Sequence, residues 1–181
     1  MFDFCIPLIL TLAGPAYAQD KPTYDPGADA EAAVAHATEL AAKKNKRVLV
    51  VWGHDGKAGD VELFTALRHG KTEAWPFYYE YELVAVDSGA DGGSHAELAR
   101  SLGVAEAARP HLTILDAAGQ PLANRAASGF RAGEAWNRAA LGELLSEHAV
   151  EPLDAEQVMQ QALERAKAES KRLFVHLGAP W

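Results

Sequence analysis

A segment near the start of the chain returns near its end, and this internal repeat limits the possible folds more than any other feature. Gly178 follows Gly53 by 125 positions, and the same offset pairs Lys171 with Lys46 and Asp154 with Asp29. Each copy runs from an acidic helix start into an apolar, β-branched stretch and then a glycine. The repeat predicts one complete domain over residues 29–150 and the truncated start of a second over residues 153–181.

Length and charge agree with this organisation. The chain has 181 residues, of which 49% are hydrophobic, enough for one ordinary domain and part of another. Its formal net charge of −8 argues against nucleic acid or an anionic membrane surface as a partner.

The first 18 residues have the pattern of a secretory signal peptide. Residues 5–14 form a short apolar run, and Ala16-Tyr17-Ala18 is a small-x-small cleavage pattern. The run is interrupted by Pro7 and is too short to span a membrane. The alternative to a signal peptide is an apolar segment buried in the fold. We expect a secreted or periplasmic protein in which residues 19–28 form a flexible linker. Removal of the peptide would also remove Cys5, the only cysteine.

Hydrophobic periodicity predicts alternating helices and strands. Asp29, Asp154 and Ser94 are the expected N-caps of three helices. The other expected elements are a strand at 48–52, a helix ending near Gly70, a strand at 83–86, a hairpin of strands at 111–115 and 121–126, and a helix with an apolar stripe from Trp136 to His148. The order of these elements predicts an α/β fold with a mixed central sheet flanked by helices.

Three phrases in this order resemble the thioredoxin-like superfamily. They are Val51-Trp52-Gly53 at the end of the first strand, the helix exit at residues 98–104, and the Pro110 strand with its Asp/Gly turn at residues 110–119. The resemblance implies a three-layer thioredoxin-like sandwich and an incomplete second copy. It also implies that Pro110 is the cis-proline of the family.

The resemblance places Lys57 and Asp60 at the two cysteines of the family's CxxC motif. A thiolate at a helix start does the redox chemistry there, and a second thiol resolves the mixed disulfide. Neither Lys57 nor Asp60 can form a disulfide, so the first unit is expected to be redox-inactive.

The second copy ends in Gly178, Ala179, Pro180 and Trp181, which resemble the lead-in to the family's catalytic cysteine. Two explanations stay open for the end of the sequence at this point. The sequence is a fragment, or the next codon specifies selenocysteine and was read as a stop.

Other candidate sites are less specific. Trp52, His54 and Asp55 form a possible binding face, together with Pro110, while a solvated loop is the plainer interpretation of His54. The aromatic residues 75–81 suggest either core packing or a ligand surface. The histidines lack metal-ligand spacing, the Asp87–Gly93 loop lacks EF-hand spacing, and no metal or cofactor is expected.

Taken together, the sequence predicts an extracytoplasmic protein of tandem thioredoxin-like modules. The first would bind a protein substrate or support the adjacent module, and the parent protein would be a thiol–disulfide oxidoreductase with its Cys or selenocysteine just after Trp181. The alternative is a non-enzymatic interaction module throughout.

Overall fold

The structure is a computed structural model that describes residues 21–69, 79–104 and 109–175. The helices are α1 (Ala30–Lys44), α2 (Ala58–His69), α3 (Ala96–Ser101), α4 (Arg138–Glu147) and α5 (Ala155–Ala168). The strands are β1 (Arg47–Gly53), β2 (Tyr81–Asp87), β3 (His111–Leu115), β4 (Pro121–Ala126), β5 (Arg131–Ala132) and β6 (Ala135–Trp136), with a 3-10 turn at Ala127–Phe130.

Four strands form one mixed sheet in the order β2-β1-β3-β4. Strands β1 and β2 are parallel, whereas β3 is antiparallel to both β1 and β4. Strands β5 and β6 form a separate two-stranded ribbon. The predicted mixed sheet and order of main elements are confirmed.

The sheet separates two hydrophobic clusters, because successive side chains of a strand point to opposite faces. Leu49 and Val51 of β1 face the cluster that contains residues of α2 and α4. Val48 and Val50 face the cluster that contains residues of α1 and α3. All four side chains are buried, as expected for a central strand covered on both faces. The three-layer arrangement is therefore present.

Two of the predicted N-caps are confirmed. The Asp29 side chain accepts a hydrogen bond from the Ala32 backbone N–H at 2.9 Å, and Asp154 accepts from Glu156 and Gln157. The Ser94 cap is wrong. The residue before α3 is His95, which has a φ of 54° and makes no side-chain capping bond. This left-handed residue turns the chain between Ser94 and the helix, out of capping position.

The predicted start of the last helix of the domain is also displaced. Trp136 lies in β6, and Asn137 caps α4 by accepting from the Ala140 N–H at 3.1 Å. Trp136 is buried against the α2 and α4 cluster from this position, so its apolar spacing indicated burial but not helix.

The repeated segment has the same helix-end geometry in both copies. Asn45 after α1 and Ser170 after α5 each have a φ of 52°. Lys46 N donates to Ala41 O at 2.9 Å, and Lys171 N donates to Ala166 O at 2.8 Å. The two helices differ in burial, however: α1 has four buried residues and α5 has none.

The strand predicted after the second copy of the helix is not formed in its described part. Residues 171–175 are exposed and do not form a strand, although they match the first residues of β1 in the repeat. Apolar β-branched sequence needs a neighbouring strand to pair with, and β1 has one on each side.

No helix in the described ranges is long and apolar enough to cross a membrane. The predicted signal peptide at residues 1–18 and the phrase formed by Gly178, Pro180 and Trp181 lie outside those ranges.

Candidate functional site

The turn between β1 and α2 holds Lys57 and Asp60, the two residues that the sequence resemblance predicts at the CxxC positions. The Lys57 N–H donates to His54 O at 3.0 Å, and the Asp60 N–H donates to Lys57 O at 2.9 Å. Lys57 immediately precedes Ala58, the first residue of α2, and Asp60 lies in the first turn of α2. The start of α2 thus carries an amine at Lys57 and a carboxylate at Asp60.

The Asp60 carboxylate holds this turn together from inside. The residue is only 3% exposed, and its Oδ2 accepts a hydrogen bond from the His54 N–H at 3.0 Å. Burial raises the pKa of Asp60, while the hydrogen bond from His54 and the nearby charges of Lys57 and Arg131 oppose that rise. These contacts make Asp60 a structural carboxylate of the turn.

His54 forms a side-chain pair with Asp87. Its Nδ1 lies 2.9 Å from Asp87 Oδ1, at the neighbouring ends of the parallel strands β1 and β2. Asp87 is 4% exposed, and its Oδ2 also accepts from the Gly89 N–H. A carboxylate can only accept, so the Nδ1 of His54 is the donor in this contact. The pair fixes the ring orientation beside Gly56.

The segment predicted as a flexible linker instead packs against this turn. The Asp55 carboxylate accepts hydrogen bonds from the backbone N–H groups of Thr23 and Tyr24, each at 3.1 Å. Tyr24 is 1% exposed, belongs to the core, and meets the Phe64 ring edge to face. The linker prediction is therefore wrong at Tyr24, because a large aromatic side chain gains more by burial than its polar neighbours lose.

Trp52 does not contribute to a binding face, and that prediction is wrong. It is 2% exposed and points into the cluster beneath α1 and α3. Its indole N–H donates to Thr113 Oγ1 at 3.1 Å, and the Thr113 hydroxyl donates to Asn124 Oδ1 at 2.7 Å. Asn124 in turn donates to the Leu102 carbonyl. The ring is held by a buried polar chain across three strands.

Pro110 lies at the same end of the sheet as the Gly53–Asp60 turn. The register pairs His111 with Trp52, so the residue before His111 lies beside Gly53. The Arg109–Pro110 peptide bond is cis, and the Arg109 guanidinium donates to the Ser88 carbonyl in the loop after β2. The fold thus brings Lys57, Asp60 and Pro110 to one edge.

His111 is a buried polar residue that sequence reasoning did not single out. It is 5% exposed, and neither ring nitrogen has a hydrogen-bond partner. Asn124 is close, but its amide is committed to Leu102 and its oxygen to Thr113. Burial lowers the pKa of His111 below its ordinary value, which the proximity of Asn124 only partly offsets. The apolar strand pattern gave no sign of this.

Arg131 reaches the site from a distant part of the chain. Its guanidinium stacks over the Trp136 ring, with Cζ 4.0 Å from the ring centroid, and lies against Gly59 in the first turn of α2. Cation–π stacking of this kind holds a long side chain in one place. No local sequence signal could have linked Arg131 to Gly59.

The described residues contain no group of three or more His, Cys, Asp or Glu side chains that could hold a metal ion. Of the five aromatic residues at 75–81, the first three lie outside the described residues. Tyr81 is buried in the core, where its hydroxyl donates to the Leu145 carbonyl at 2.7 Å.

No protein-family model matches the sequence, and no curated protein matches it significantly. Among solved structures, the chain is similar to a disulphide isomerase from Xylella fastidiosa Temecula1, with a TM-score of 0.57 and 16% sequence identity. The match covers 70% of this chain and 96% of that one. At this identity the likeness concerns the fold alone, and together with the sheet order it shows that the chain has a thioredoxin-like fold.

Proposed function

We propose that residues 29–150 form a redox-inactive thioredoxin-like domain of an extracytoplasmic protein, which binds a protein partner or supports the module that follows it. One observation carries the proposal. Lys57 and Asp60 stand at the start of α2, where the family has its dithiol, and the chain contains no cysteine after Cys5. Thiol–disulfide exchange requires a thiolate, and this site has none.

The geometry also supports a structural use of the former redox turn. Asp60 is bonded to the His54 backbone, His54 to Asp87, and Asp55 to the segment before α1. The side chains of His54, Asp55 and Asp60 thus each bond to another group of the described chain. The turn therefore has the features of a fixed scaffold.

A gain-of-function comparison tests the proposal. All proteins carry Cys5→Ser, and a Lys57→Cys/Asp60→Cys double variant is compared with Lys57→Ser/Asp60→Ser and with the unchanged turn. We expect dithiothreitol-driven insulin reduction only in the cysteine pair, together with an intramolecular disulfide between positions 57 and 60. Reductase activity in the unchanged turn above that of the serine pair would refute redox inactivity. Failure of the folded cysteine pair to form its disulfide would refute the positional match.

For the parent protein, we propose a thiol–disulfide oxidoreductase whose redox centre belongs to the second unit. The support is the repeat, in which residues 178–181 resemble the lead-in to a catalytic cysteine or selenocysteine. The genomic sequence after the Trp181 codon tests this. A frame that continues with a cysteine codon, directly or beyond an in-frame stop triplet, supports it. A frame without one favours the non-enzymatic interaction module.

The extracytoplasmic location rests on the pattern of residues 1–18. Expression of the full chain in a bacterium, followed by N-terminal sequencing of the periplasmic fraction, should find a mature protein that starts at Gln19. Retention of the uncleaved protein in the cytoplasm would exclude this location.

A further inference from the structure

A cavity of about 360 Å³ lies beside β2, at the opposite end of the sheet from the former redox turn. It is lined by Lys46, Phe64, Arg68, Tyr79, Tyr81, Glu82 and Leu83. Lys46 directly precedes β1, whereas the turn follows Gly53 at the other end of that strand. The volume falls in the range of small-molecule sites, which is roughly 300–1,000 Å³.

The floor of the cavity is aromatic and apolar. Phe64 and Tyr81 are 8% and 5% exposed and belong to the core cluster, and Leu83 packs against it. These side chains are therefore held in place by the fold. Such a floor suits a flat ring, because aromatic pairs gain from offset or edge-to-face contact in addition to the area they bury.

The residues that line the cavity include two cations, Lys46 and Arg68, and one acid, Glu82, so the lining has a net positive charge in a chain that is strongly acidic. Lys44 and Lys46 each place Nζ 3.0 Å from Glu82 Oε1. Burial alone would raise the pKa of Glu82, but the hydrogen bonds from the two lysines hold it below its ordinary value. Glu82 therefore offsets the charge of Lys46, the one of these two lysines that lines the cavity, and Lys44 adds a positive charge beside the lining.

Arg68 adds a second positive charge. It is exposed on the last turn of α2, and within the described ranges it makes no ion pair. A guanidinium presents a planar fork of donors that matches a carboxylate in bidentate geometry.

The backbone beside the cavity is also open. Glu80 O accepts from the Arg47 N–H, and the Ser88 N–H donates to Gly53 O, so the even-numbered residues of β2 bond to β1. In a parallel ladder the alternate residues face the other way. The N–H and C=O groups of Tyr81 and Leu83 therefore point to the outer edge, where β2 has no partner strand in the described part of the chain.

We propose that this cavity binds an aromatic carboxylate, with the ring against Phe64, Tyr81 and Leu83 and the carboxylate on the Arg68 guanidinium. The ligand is either a free aromatic acid or the C-terminal aromatic residue of a protein, which would also pair with the open edge of β2. The proposal does not depend on whether the turn at Lys57 and Asp60 is redox-inactive.

Calorimetric titration of the folded protein with N-acetylphenylalanine tests the site. Removal of one charge-assisted contact should weaken binding by roughly 10- to 100-fold. We therefore expect that loss for N-acetylphenylalaninamide, which lacks the carboxylate, and for the variant Arg68→Gln. The matched control is Arg100→Gln, an exposed arginine at the same place in the last turn of α3, which should bind as the unchanged protein does.

A tetrapeptide, N-acetyl-Ala-Ser-Ala-Phe, separates the two sources. Tighter binding than N-acetylphenylalanine identifies a protein C-terminus, and equal binding identifies a free acid. The proposal fails if N-acetylphenylalanine shows no saturable binding up to about 10 mM. It fails equally if the amide binds as well as the acid, or if Arg68→Gln has no effect while its urea unfolding midpoint is unchanged.

Discussion

The hydroxyl of Tyr24 donates a hydrogen bond to the backbone carbonyl of Asp60 at 3.1 Å, which ties the segment before α1 to the first turn of α2. The two residues are 36 positions apart in the sequence, and the Tyr24 ring is almost fully buried. Tyr24 therefore anchors the segment before α1 to the folded domain, and it should contribute strongly to the stability of that domain.

We expect Tyr24→Ala to lower the free energy of unfolding by about 3–5 kcal/mol, because it removes a buried aromatic ring. Tyr24→Phe keeps the ring and loses only the hydrogen bond, at a cost of about 1 kcal/mol. Urea unfolding followed by circular dichroism measures both. The control is Leu122→Ala at an exposed position on β4, which should change stability by no more than about 0.5 kcal/mol. A Tyr24→Ala effect as small as that control would show that the segment is not anchored.

The Tyr24 ring occupies the space that a side chain at position 53 would need. A Cβ at position 53 would lie 2.5 Å from Tyr24 Cζ, well inside van der Waals contact. Gly53→Ala should therefore cost about 1–3 kcal/mol as an overpacking substitution. In the Tyr24→Ala background the same change should cost much less, so the two effects are non-additive. A double-mutant cycle in urea measures the coupling, and simple additivity would contradict the contact.

Thr113 is the centre of the hydrogen-bonded chain from Trp52 to Asn124. Thr113→Val keeps the shape of the side chain but leaves the Trp52 indole N–H and the Asn124 oxygen without their partner. We expect a loss of about 1–3 kcal/mol in unfolding free energy. Thr65→Val is the matched control, because that exposed hydroxyl bonds only to the Val61 carbonyl within α2. Equal effects of the two substitutions would mean that the buried chain adds nothing.

Burial of His111 without partners makes the domain sensitive to acid. Its pKa is lowered in the folded state, while the unfolded chain should titrate near the ordinary value of about 6.5. As the pH falls below that value, the unfolded state takes up a proton that the folded state resists. The free energy of unfolding therefore decreases until the pH passes the lowered pKa, by up to about 1.4 kcal/mol per pH unit.

His111→Gln should remove this part of the pH dependence, whereas His36→Gln, at an exposed position on α1, should not. Urea titrations at neutral pH and at mildly acidic pH give the comparison. Identical pH dependence in the unchanged protein and in His111→Gln would rule out His111 as the source.

Local signals predicted the framework of the domain. The continuous apolar run at residues 48–52 became the central strand, and the turn between Asp116 and Gly119 separated two strands as expected. Asp29 and Asp154 each bond to backbone within three residues. Such features depend on neighbours in sequence, which a single chain displays directly.

The predictions that failed depend on contacts between distant residues. The burial of Tyr24 and Trp52 is set by partners 36 and 61 positions away. Arg131 reaches Gly59 only because the β5–β6 ribbon returns to the start of α2. The segment at 171–175 shares the pattern of β1 and still forms no strand, because pairing with a neighbour, and not composition, makes a strand.

The matching ends of α1 and α5 make this chain its own control for the source of helical order. Both helices have an aspartate at the start and the same backbone bond at the end, but only α1 is covered by other elements. Deuterium uptake should therefore be slow in α1 and fast in α5, since capping alone gives a short helix little protection. Equal uptake in both would assign helical order to the capping residues, and a large gap would assign it to the sheet.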